Sequence, residues 1–272
     1  VAEVNFLIRP ESVFITWQYP YPEKEGLFFE IFRCRFDECE LAAETRGNSF
    51  IDKRPPHEGL QYLIVSAFKG GGKKEKRVDP ALRDFPVAPD SFRYEILNEG
   101  IRLLWNISET CLYNIYRLSP DGGERLLAKG LKEGYYNDVP EPSEVVHYSI
   151  RCQRENTEGY PAQVKITPDD YIPSRPSGLR YACIGGDAVL SWKENPERWV
   201  RGYRIYRDDG KDRIQIGETA YPVFIDKDKT RGRISYFITA LGPSKESEPS
   251  EPLTLERALD SGGKAKIPLC KE

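Results

Sequence analysis

The chain has 272 residues, of which 40 are Lys or Arg, 43 are Asp or Glu and 2 are His, giving a formal net charge of −3. Hydrophobic residues make up 39% and charged residues 31%, which is typical of folded globular domains and excludes disordered or collagen-like chains. The near-neutral balance argues against a general nucleic-acid or anionic-membrane binder, and no apolar run reaches the roughly 20 residues that a membrane-spanning helix needs.

The length predicts two or three domains, since soluble domains commonly have about 100 to 150 residues. The chain begins at Val1, without an initiator Met and without a signal-peptide pattern. We therefore expect a mature or trimmed chain whose targeting signal is missing. Its localisation has to be inferred from chemistry inside the chain.

Three short runs of alternating hydrophobic residues follow one another three times along the chain. The first run ends in a Trp, the second closes in an Arg, and the third begins with a Tyr. These landmarks are Trp17, Arg33 and Tyr62 in the first copy, Trp105, Arg117 and Tyr148 in the second, and Trp192, Arg207 and Tyr236 in the third. A period of two indicates strands with one buried face, and clusters of Gly, Pro, Asn and Asp between the runs indicate turns. The sequence therefore predicts an all-β fold built from three similar copies.

This order of landmarks resembles tandem fibronectin type III domains over nearly the whole chain. The resemblance implies an all-β fold of three tandem immunoglobulin-like β-sandwiches in an elongated rod. It places the domains at residues 1–86, 87–172 and 173–257, followed by a C-terminal tail at 258–272. It also implies that the Tyr opening the third run forms a tyrosine corner, with its hydroxyl bound to backbone a few residues upstream. We call the three copies the first, middle and third repeats.

Six Cys are a departure from that family, whose domains usually hold together without disulfides. On the family's strand map the third and sixth strands are antiparallel neighbours, and Cys111 and Cys152 lie at matching ends of them. We therefore predict a Cys111–Cys152 disulfide. Cys34 and Cys39 can close a small hairpin loop after the third strand of the first repeat. The last pair, Cys183 with Cys270 in the tail, follows mostly by elimination.

The alternative to disulfides is a set of free buried thiols, which are common in cytosolic proteins. The even count and the geometrically placed pair favour oxidised Cys, and hence an extracytoplasmic protein that is secreted, periplasmic or at the cell surface. A zinc site is disfavoured. Only Cys34 and Cys39 have a conceivable ligand spacing, and neither His57 nor His147 accompanies them.

The sequence contains no recognisable catalytic constellation. His147 precedes the repeated Tyr148 and is expected to face solvent, while His57 lies in a loop. No phosphate-binding loop, nucleophile elbow or metalloprotease motif occurs. Acidic groups such as Asp169-Asp170 are interpreted as solvated turns rather than calcium ligands. We therefore expect no enzyme activity, no cofactor and no metal.

The run from Lys69 to Arg77 has the most distinctive local composition. It combines three Gly with the five cations of a candidate binding loop between the sixth and seventh strands: Lys69, Lys73, Lys74, Lys76 and Arg77. Such a loop could meet an acidic partner or a polysaccharide. The alternative is a solubilising hairpin tip.

These features predict a non-catalytic extracytoplasmic interaction or scaffold protein that presents loops and strand edges to a protein partner or an assembly. A bacterial cell-envelope lipoprotein is one form of this prediction. One alternative is an accessory or ectodomain segment of a larger extracellular enzyme or receptor. Another is a carbohydrate-binding rod with surface aromatics, for which Tyr19, Tyr21 and Trp199 are candidates. No nucleic-acid partner is expected.

Overall fold

The computed structural model describes residues 1–20, 26–36, 38–53, 55–56, 58–68, 71–80, 84–184, 187–227, 232–259 and 265–266. Within these ranges the regular structure is β-strand throughout, apart from one 3₁₀ turn at Pro168–Asp170. The prediction of an all-β fold is therefore confirmed. The chain forms two compact units. Unit 1 contains Val1–Arg93, Leu104–Tyr135 and His147–Val164, and unit 2 contains Tyr94–Leu103, Tyr136–Val146 and Lys165–Glu272.

The strands follow the alternating runs of the sequence. Those of the first repeat are β1 (Val4–Arg9), β2 (Ser12–Trp17), β3 (Leu27–Arg35), β4 (Glu38–Thr45), β5 (Ser49–Lys53), β6 (Leu60–Phe68) and β7 (Lys73–Val78). Those of the middle repeat are β8 (Arg93–Leu97), β9 (Gly100–Leu104), β10 (Leu112–Leu118), β11 (Glu124–Leu131), β12 (Tyr135–Asp138), β13 (Val146–Arg154), β14 (Thr157–Glu158) and β15 (Ala162–Ile166). The third repeat and the tail give β16 (Arg180–Ile184), β17 (Asp187–Ser191), β18 (Gly202–Asp208), β19 (Arg213–Thr219), β20 (Val223–Asp226), β21 (Gly232–Leu241), β22 (Leu253–Leu259) and β23 (Ala265–Lys266).

Unit 1 contains a four-stranded sheet and an eight-stranded sheet. The smaller sheet has the order β4-β3-β6-β7, and the larger runs β11-β10-β13-β14-β1-β2-β5 with β15 paired to β13. Alternate residues of β2, namely Val13, Ile15 and Trp17, are buried and pack against Ile31 and Ile64 of the smaller sheet. The first repeat is therefore a β-sandwich whose core forms where the two sheets face each other.

Unit 2 contains a second sandwich built from the third repeat. Its sheets have the orders β16-β17-β20 and β19-β18-β21-β22-β23. Leu190 and Trp192 from the first of these sheets pack with Ile205, Tyr236 and Ile238 from the second. Unit 2 also contains the three-stranded sheet β12-β9-β8 of the middle repeat.

The three repeated Trp residues are buried in equivalent ways. Each packs edge-on or tilted against an aromatic ring from the third strand of its own repeat. The ring centroids are 5.2 Å apart for Trp17–Phe29, 5.6 Å for Trp105–Tyr113 and 5.2 Å for Trp192–Tyr203. The aromatic pairs therefore fix the same strand register in every copy.

Candidate functional site

Most of the cations of the candidate binding loop lie in a strand. Lys73, Lys74, Lys76 and Arg77 belong to β7, which is an edge strand of the four-stranded sheet, and Lys69 lies outside the described residues. The assignment of these four cations to a loop is therefore corrected. An edge strand has one side open to solvent, so a cationic run is compatible with β-pairing there. Lys on an edge also discourages strand addition by other chains.

The alternation of β7 sends its cations to opposite faces of the sheet. On one face Lys73 forms an ion pair with Glu30, with Nζ and Oε2 2.8 Å apart. On the other face the Lys76 ammonium donates to the backbone carbonyl of Ala2. The described part of the strand therefore offers no convergent anion site, although Lys74 and Arg77 remain exposed.

Two of the three predicted disulfides are present. Cys34–Cys39 joins β3 to β4 with Cα atoms 4.0 Å apart. Cys111–Cys152 joins the residue before β10 to β13 with Cα atoms 5.3 Å apart. Cys152 is 1% exposed. Cys270 lies outside the described residues, so the pairing of Cys183 with the tail stays a prediction.

The Cys34–Cys39 hairpin presents an aromatic side chain to solvent. Phe36 has a positive φ of 54°, and its side chain is 67% exposed. Its backbone N–H donates to the Gly59 carbonyl at 3.3 Å, and its ring lies so close to Gly59 that a Cβ there would be 2.9 Å from Cε1. A bulky residue in left-handed backbone is uncommon, and here the disulfide and Gly59 hold it in place.

A buried aspartate that the sequence analysis did not single out binds the repeated Tyr and Arg. In the first repeat the Tyr62 hydroxyl donates to Asp52 Oδ2 at 2.6 Å, and Arg33 Nε donates to the same oxygen at 2.8 Å. The acceptor is thus a carboxylate rather than the expected backbone group. A buried carboxylate needs several donors, and the hydroxyl and the guanidinium both supply them.

The third repeat has the same arrangement. The Tyr236 hydroxyl donates to Asp226 Oδ2 at 2.5 Å, and Arg207 Nη1 lies 3.3 Å from that oxygen. The signal was present in the sequence, since an Asp stands ten residues before each repeated Tyr, at Asp52, Asp138 and Asp226.

Burial and the bond to Asp52 together set the protonation of this cluster. Burial, followed by the hydrogen bond to Asp52, raises the pKa of Tyr62. The hydrogen bond to Asp52 also raises the pKa of Arg33 above its ordinary value. Tyr62 is therefore held as a neutral phenol and Arg33 as a charged guanidinium, an arrangement suited to structure rather than to proton transfer.

The first and middle repeats are joined inside unit 1 by strand pairing. β14 pairs with β13 on one side and, in parallel, with β1 on the other through Ile8 and Thr157. The Ile8 N–H donates to the Asn156 carbonyl at 2.9 Å, and the Tyr160 N–H donates to the Pro86 carbonyl at 3.1 Å. The hydrogen-bonded sheet therefore continues from one repeat into the next.

A buried ion network lies beside this pairing. The Glu158 side chain is fully buried and accepts hydrogen bonds from Arg9 Nε at 2.7 Å, from the Tyr116 hydroxyl at 2.5 Å and from the Asn114 amide. Arg9 Nη1 also pairs with Glu124 Oε2 at 2.5 Å. Arg9 comes from the first repeat and its partners from the middle repeat, so the ion pairs cross the joint.

A second arginine also forms an ion pair across the joint, but here the arginine belongs to the middle repeat and the glutamate to the first. Arg151 of the middle repeat pairs with Glu11 of the first, with Nη2 and Oε1 2.5 Å apart, and its Nη2 lies 3.3 Å from Glu124 Oε1. Its Nη1 donates to the Gly159 carbonyl at 3.0 Å. Burial opposes the charge on Arg9, yet Glu158 and Glu124 hold the pKa of Arg9 above its ordinary value. Removing one member of such a network leaves an unpaired buried charge.

Trp199 is part of a second joint, inside unit 2. Its side chain is 9% exposed, its indole N–H donates to the Leu97 carbonyl at 3.1 Å, and its ring packs against Tyr171 at 5.4 Å. Its prediction as a sugar-binding surface aromatic is therefore wrong, because the ring fills the contact between the third repeat and β8. Tyr19 packs on Phe29 at 5.6 Å.

Tyr21, the remaining aromatic candidate, lies outside the described residues.

A cleft of 480 Å³ lies beside Trp199 in unit 2. Its lining includes the charged side chains of Glu99, Glu141, Arg198 and Arg201. Because both signs of charge are present, the cleft has no evident preference for an anion or a cation.

The other titratable candidates do not come together. His147 is exposed on β13, and His57 lies outside the described residues. Asp170 Oδ2 accepts the backbone N–H of Thr167 at 2.7 Å and its hydroxyl at 2.8 Å. Burial opposes this charge, but the two bonds from Thr167 keep the pKa of Asp170 below its ordinary value. Within the described ranges, no three His, Cys, Asp or Glu side chains are grouped as metal ligands.

The described part of the chain has no helix long and apolar enough to cross a lipid bilayer.

Many solved structures resemble this chain, and two of them illustrate the low sequence identity. No protein-family model matches the chain, and no curated protein matches it. A two-domain fibronectin type III segment of chicken tenascin is 16% identical, with a TM-score of 0.47, covering 62% of this chain and 98% of that one. The FN1–FN3 segment of chicken CNTN1 is 18% identical, with a TM-score of 0.30, covering 93% of this chain and 97% of that one. These TM-scores are too low to add to what the strands themselves show about the fold.

Proposed function

We propose that this chain is a non-catalytic extracytoplasmic interaction or scaffold protein built from tandem fibronectin type III domains. The proposed domains are residues 1–86, 87–172 and 173–257, with a tail at 258–272. The recurring Trp, Arg and Tyr support this division, and a buried Asp binds the repeated Tyr in the first and third copies. The proposal includes a place in a cell envelope, as a lipoprotein.

The joint inside unit 1 is the observation that carries this proposal. Domains within one chain usually move relative to each other unless their contact is extensive. Here a shared sheet, the ion pair of Arg9 with the buried Glu158, and the ion pair of the buried Arg151 with Glu11 fix the first repeat to strands of the middle repeat. A fixed spacing between successive recognition surfaces is what a scaffold requires, and a catalytic domain has no need of it.

The two disulfides support the proposed compartment. Disulfides persist in secreted, periplasmic and cell-surface proteins and are rare in a reducing cytosol. Cys34–Cys39 lies at a hairpin tip and Cys111–Cys152 lies between neighbouring strands, so both act within unit 1. Peptide mapping of the protein from its native cells, without reduction, should recover both pairs. Recovery of free thiols at these four positions would exclude an oxidising compartment.

The joint can be tested by ¹⁵N relaxation of the full chain. We expect amides in β3 of the first repeat and in β10 of the middle repeat to share one rotational correlation time. Arg9→Met should separate the two values, because it leaves Glu158 buried without its cation. Arg175→Met is the matched control, since the Arg175–Glu251 pair is exposed and contributes little.

Two outcomes would contradict the scaffold proposal. One is independent tumbling of the first and middle repeats in the unaltered chain. The other is equal behaviour of Arg9→Met and Arg175→Met, which would mean that the buried network does not hold the joint.

A further inference from the structure

The outward face of the sheet β16-β17-β20 carries a cluster of exposed apolar residues. Strand pairing sets Ala182 beside Val189 and Val189 beside Ile225, so these three form its central row. Ile184 and Val223 flank the row on either side. Ile184 is 65% exposed, Ile225 49% and Val223 43%. We call these five residues the third-repeat face. The opposite side of the sheet carries the buried core, so this face is not needed for the sandwich interior.

The middle repeat shows that the fold does not require apolar residues at these positions. Counting from the repeated Trp and Tyr, the equivalents of Val189 and Ile225 are Arg102 and Asn137. Arg102 Nε donates to Asn137 Oδ1 at 3.0 Å across the sheet. A polar pair therefore satisfies the same strand geometry. The apolar cluster of the third repeat is therefore not a requirement of the fold, which makes it a candidate interaction surface.

We propose that the third-repeat face binds the same face of a second copy of this chain across a two-fold axis. Flat sheet faces with β-branched side chains complement one another, and sheets stack about 10 Å apart with interdigitated side chains. With the axis along the central row, Ala182, Val189 and Ile225 of the two copies pack together. The contact is isologous, so one surface supplies both halves of the interface.

Charges at the ends of the face fit this arrangement. Arg180 lies in the row of Val223 on one side of the central row, and Asp187 lies in the row of Ile184 on the other side. The two-fold axis exchanges these outer rows. Arg180 of each copy therefore comes beside Asp187 of the other, which gives two ion pairs at the rim of the interface. This complementarity selects a second copy over an unrelated apolar partner.

The size of the face sets the strength of the association. Three strands about 4.8 Å apart and five residues of about 3.3 Å each give a footprint of roughly 15 by 15 Å. This is smaller than the about 800 Å² that each partner contributes to a standard interface. The dimer is therefore reversible. It deepens the proposed function, on which it rests, by naming the chain itself as a partner of the scaffold.

Sedimentation velocity of the full chain from about 10 µM to about 1 mM tests the dimer, since weak complexes form in this range. We expect a concentration-dependent dimer. The double variant Val189→Arg with Ile225→Asn, which copies the polar pair of the middle repeat, should raise the dissociation constant at least about tenfold. The matched control is Phe14→Arg with Ile51→Asn, at the equivalent positions of the first repeat, and it should dimerise like the unaltered chain.

Reversing the charge of Arg180 or of Asp187 tests the two-fold geometry of the proposed dimer. Arg180→Asp alone and Asp187→Arg alone should each weaken the dimer, because each places like charges together. An equimolar mixture of the two variants should restore it, because every rim contact then pairs opposite charges. Restoration in the mixture is a result that loss of folding cannot produce.

Three results would overturn the dimer. One is a chain that stays monomeric over the whole range, and another is loss of the dimer in the Phe14 control instead of the Val189 variant. The third is a dimer that appears only when residues 260–272 are removed, which would make the tail the occupant of the face. A monomer whose repeats still tumble together would leave the scaffold proposal standing.

Discussion

Replacing Tyr62 by Phe removes one hydrogen bond to a buried carboxylate and leaves the aromatic ring in place. Tyr62 is fully buried and Asp52 is 1% exposed, so no water replaces the lost hydroxyl. The bond is 2.6 Å long and its acceptor is charged. Hydrogen bonds to charged groups contribute about 1.5–3 kcal/mol to stability. We expect Tyr62→Phe to lower the local free energy of unfolding of the first repeat by that amount.

Native-state hydrogen exchange is the appropriate measurement, because a chain with several domains need not unfold in one step. A loss of about 1.5–3 kcal/mol corresponds to exchange about 10- to 150-fold faster in the core amides of β3 and β6. Tyr160→Phe is the control, since the Tyr160 side chain is 53% exposed. If both variants exchange equally, the buried carboxylate does not depend on Tyr62.

The same residue makes the first repeat sensitive to alkali. Burial and the bond to Asp52 raise the pKa of Tyr62, so the folded state keeps its proton when an unfolded Tyr ionises near pH 10. The unfolded state then binds fewer protons, and stability falls as the pH rises above about 10, by up to about 1.4 kcal/mol per pH unit. In Tyr62→Phe this part of the alkaline slope should be absent from the exchange of β3 and β6.

Three further changes give distinct outcomes. Replacing Cys111 and Cys152 together by Ser opens a loop with a sequence separation of 41, and chemical denaturation should show a loss of about 4 kcal/mol in the free energy of unfolding. Removing Cys34–Cys39, whose separation is 5, should cost about 2 kcal/mol. Equal losses would contradict the explanation by loop-closure entropy. Gly159→Ala adds a Cβ that meets the Pro86 carbonyl, so ¹⁵N relaxation should show a loosened joint in unit 1. Gly47→Ala should not, because its Cβ would make only an ordinary contact, at 3.4 Å, with the Thr45 hydroxyl. Trp199→Phe removes the 3.1 Å bond to the Leu97 carbonyl and should speed amide exchange around Trp199 about 5- to 10-fold, while unchanged exchange there would mean that the bond contributes nothing.

The strand register and one disulfide were accessible to sequence reasoning because they depend on local periodicity. The Trp and Tyr landmarks fix which residues of the third and sixth strands are opposite each other. That register placed Cys111 near Cys152, and the structure has Cys152 paired with Tyr113, two residues after Cys111. Alternation also predicted that His147 faces solvent, as it does.

The joint in unit 1 was not accessible in that way. Arg9 and Glu158 are separated by 149 positions, and each resembles an ordinary charge at the end of a strand. Nothing in the alternation distinguishes a charge that faces water from one that faces the next repeat. The cations of β7 were assigned to a loop for a related reason. Three consecutive glycines and several lysines are typical of loops, but an edge strand tolerates the same lysines.

Strand β14 has a consequence for handling the first repeat by itself. Without β14, the edge of β1 that carries the Ile8 N–H would have unpaired backbone donors and acceptors, to which a strand of another molecule could bind. Such an edge is a template for unwanted strand addition and aggregation. A fragment ending at residue 86 would also leave Arg9 without Glu158. We therefore expect that fragment to precipitate more readily than one that extends through Glu158, a difference that light scattering at equal concentration would reveal. The boundary between the two repeats in sequence is thus not the boundary at which the protein can safely be cut.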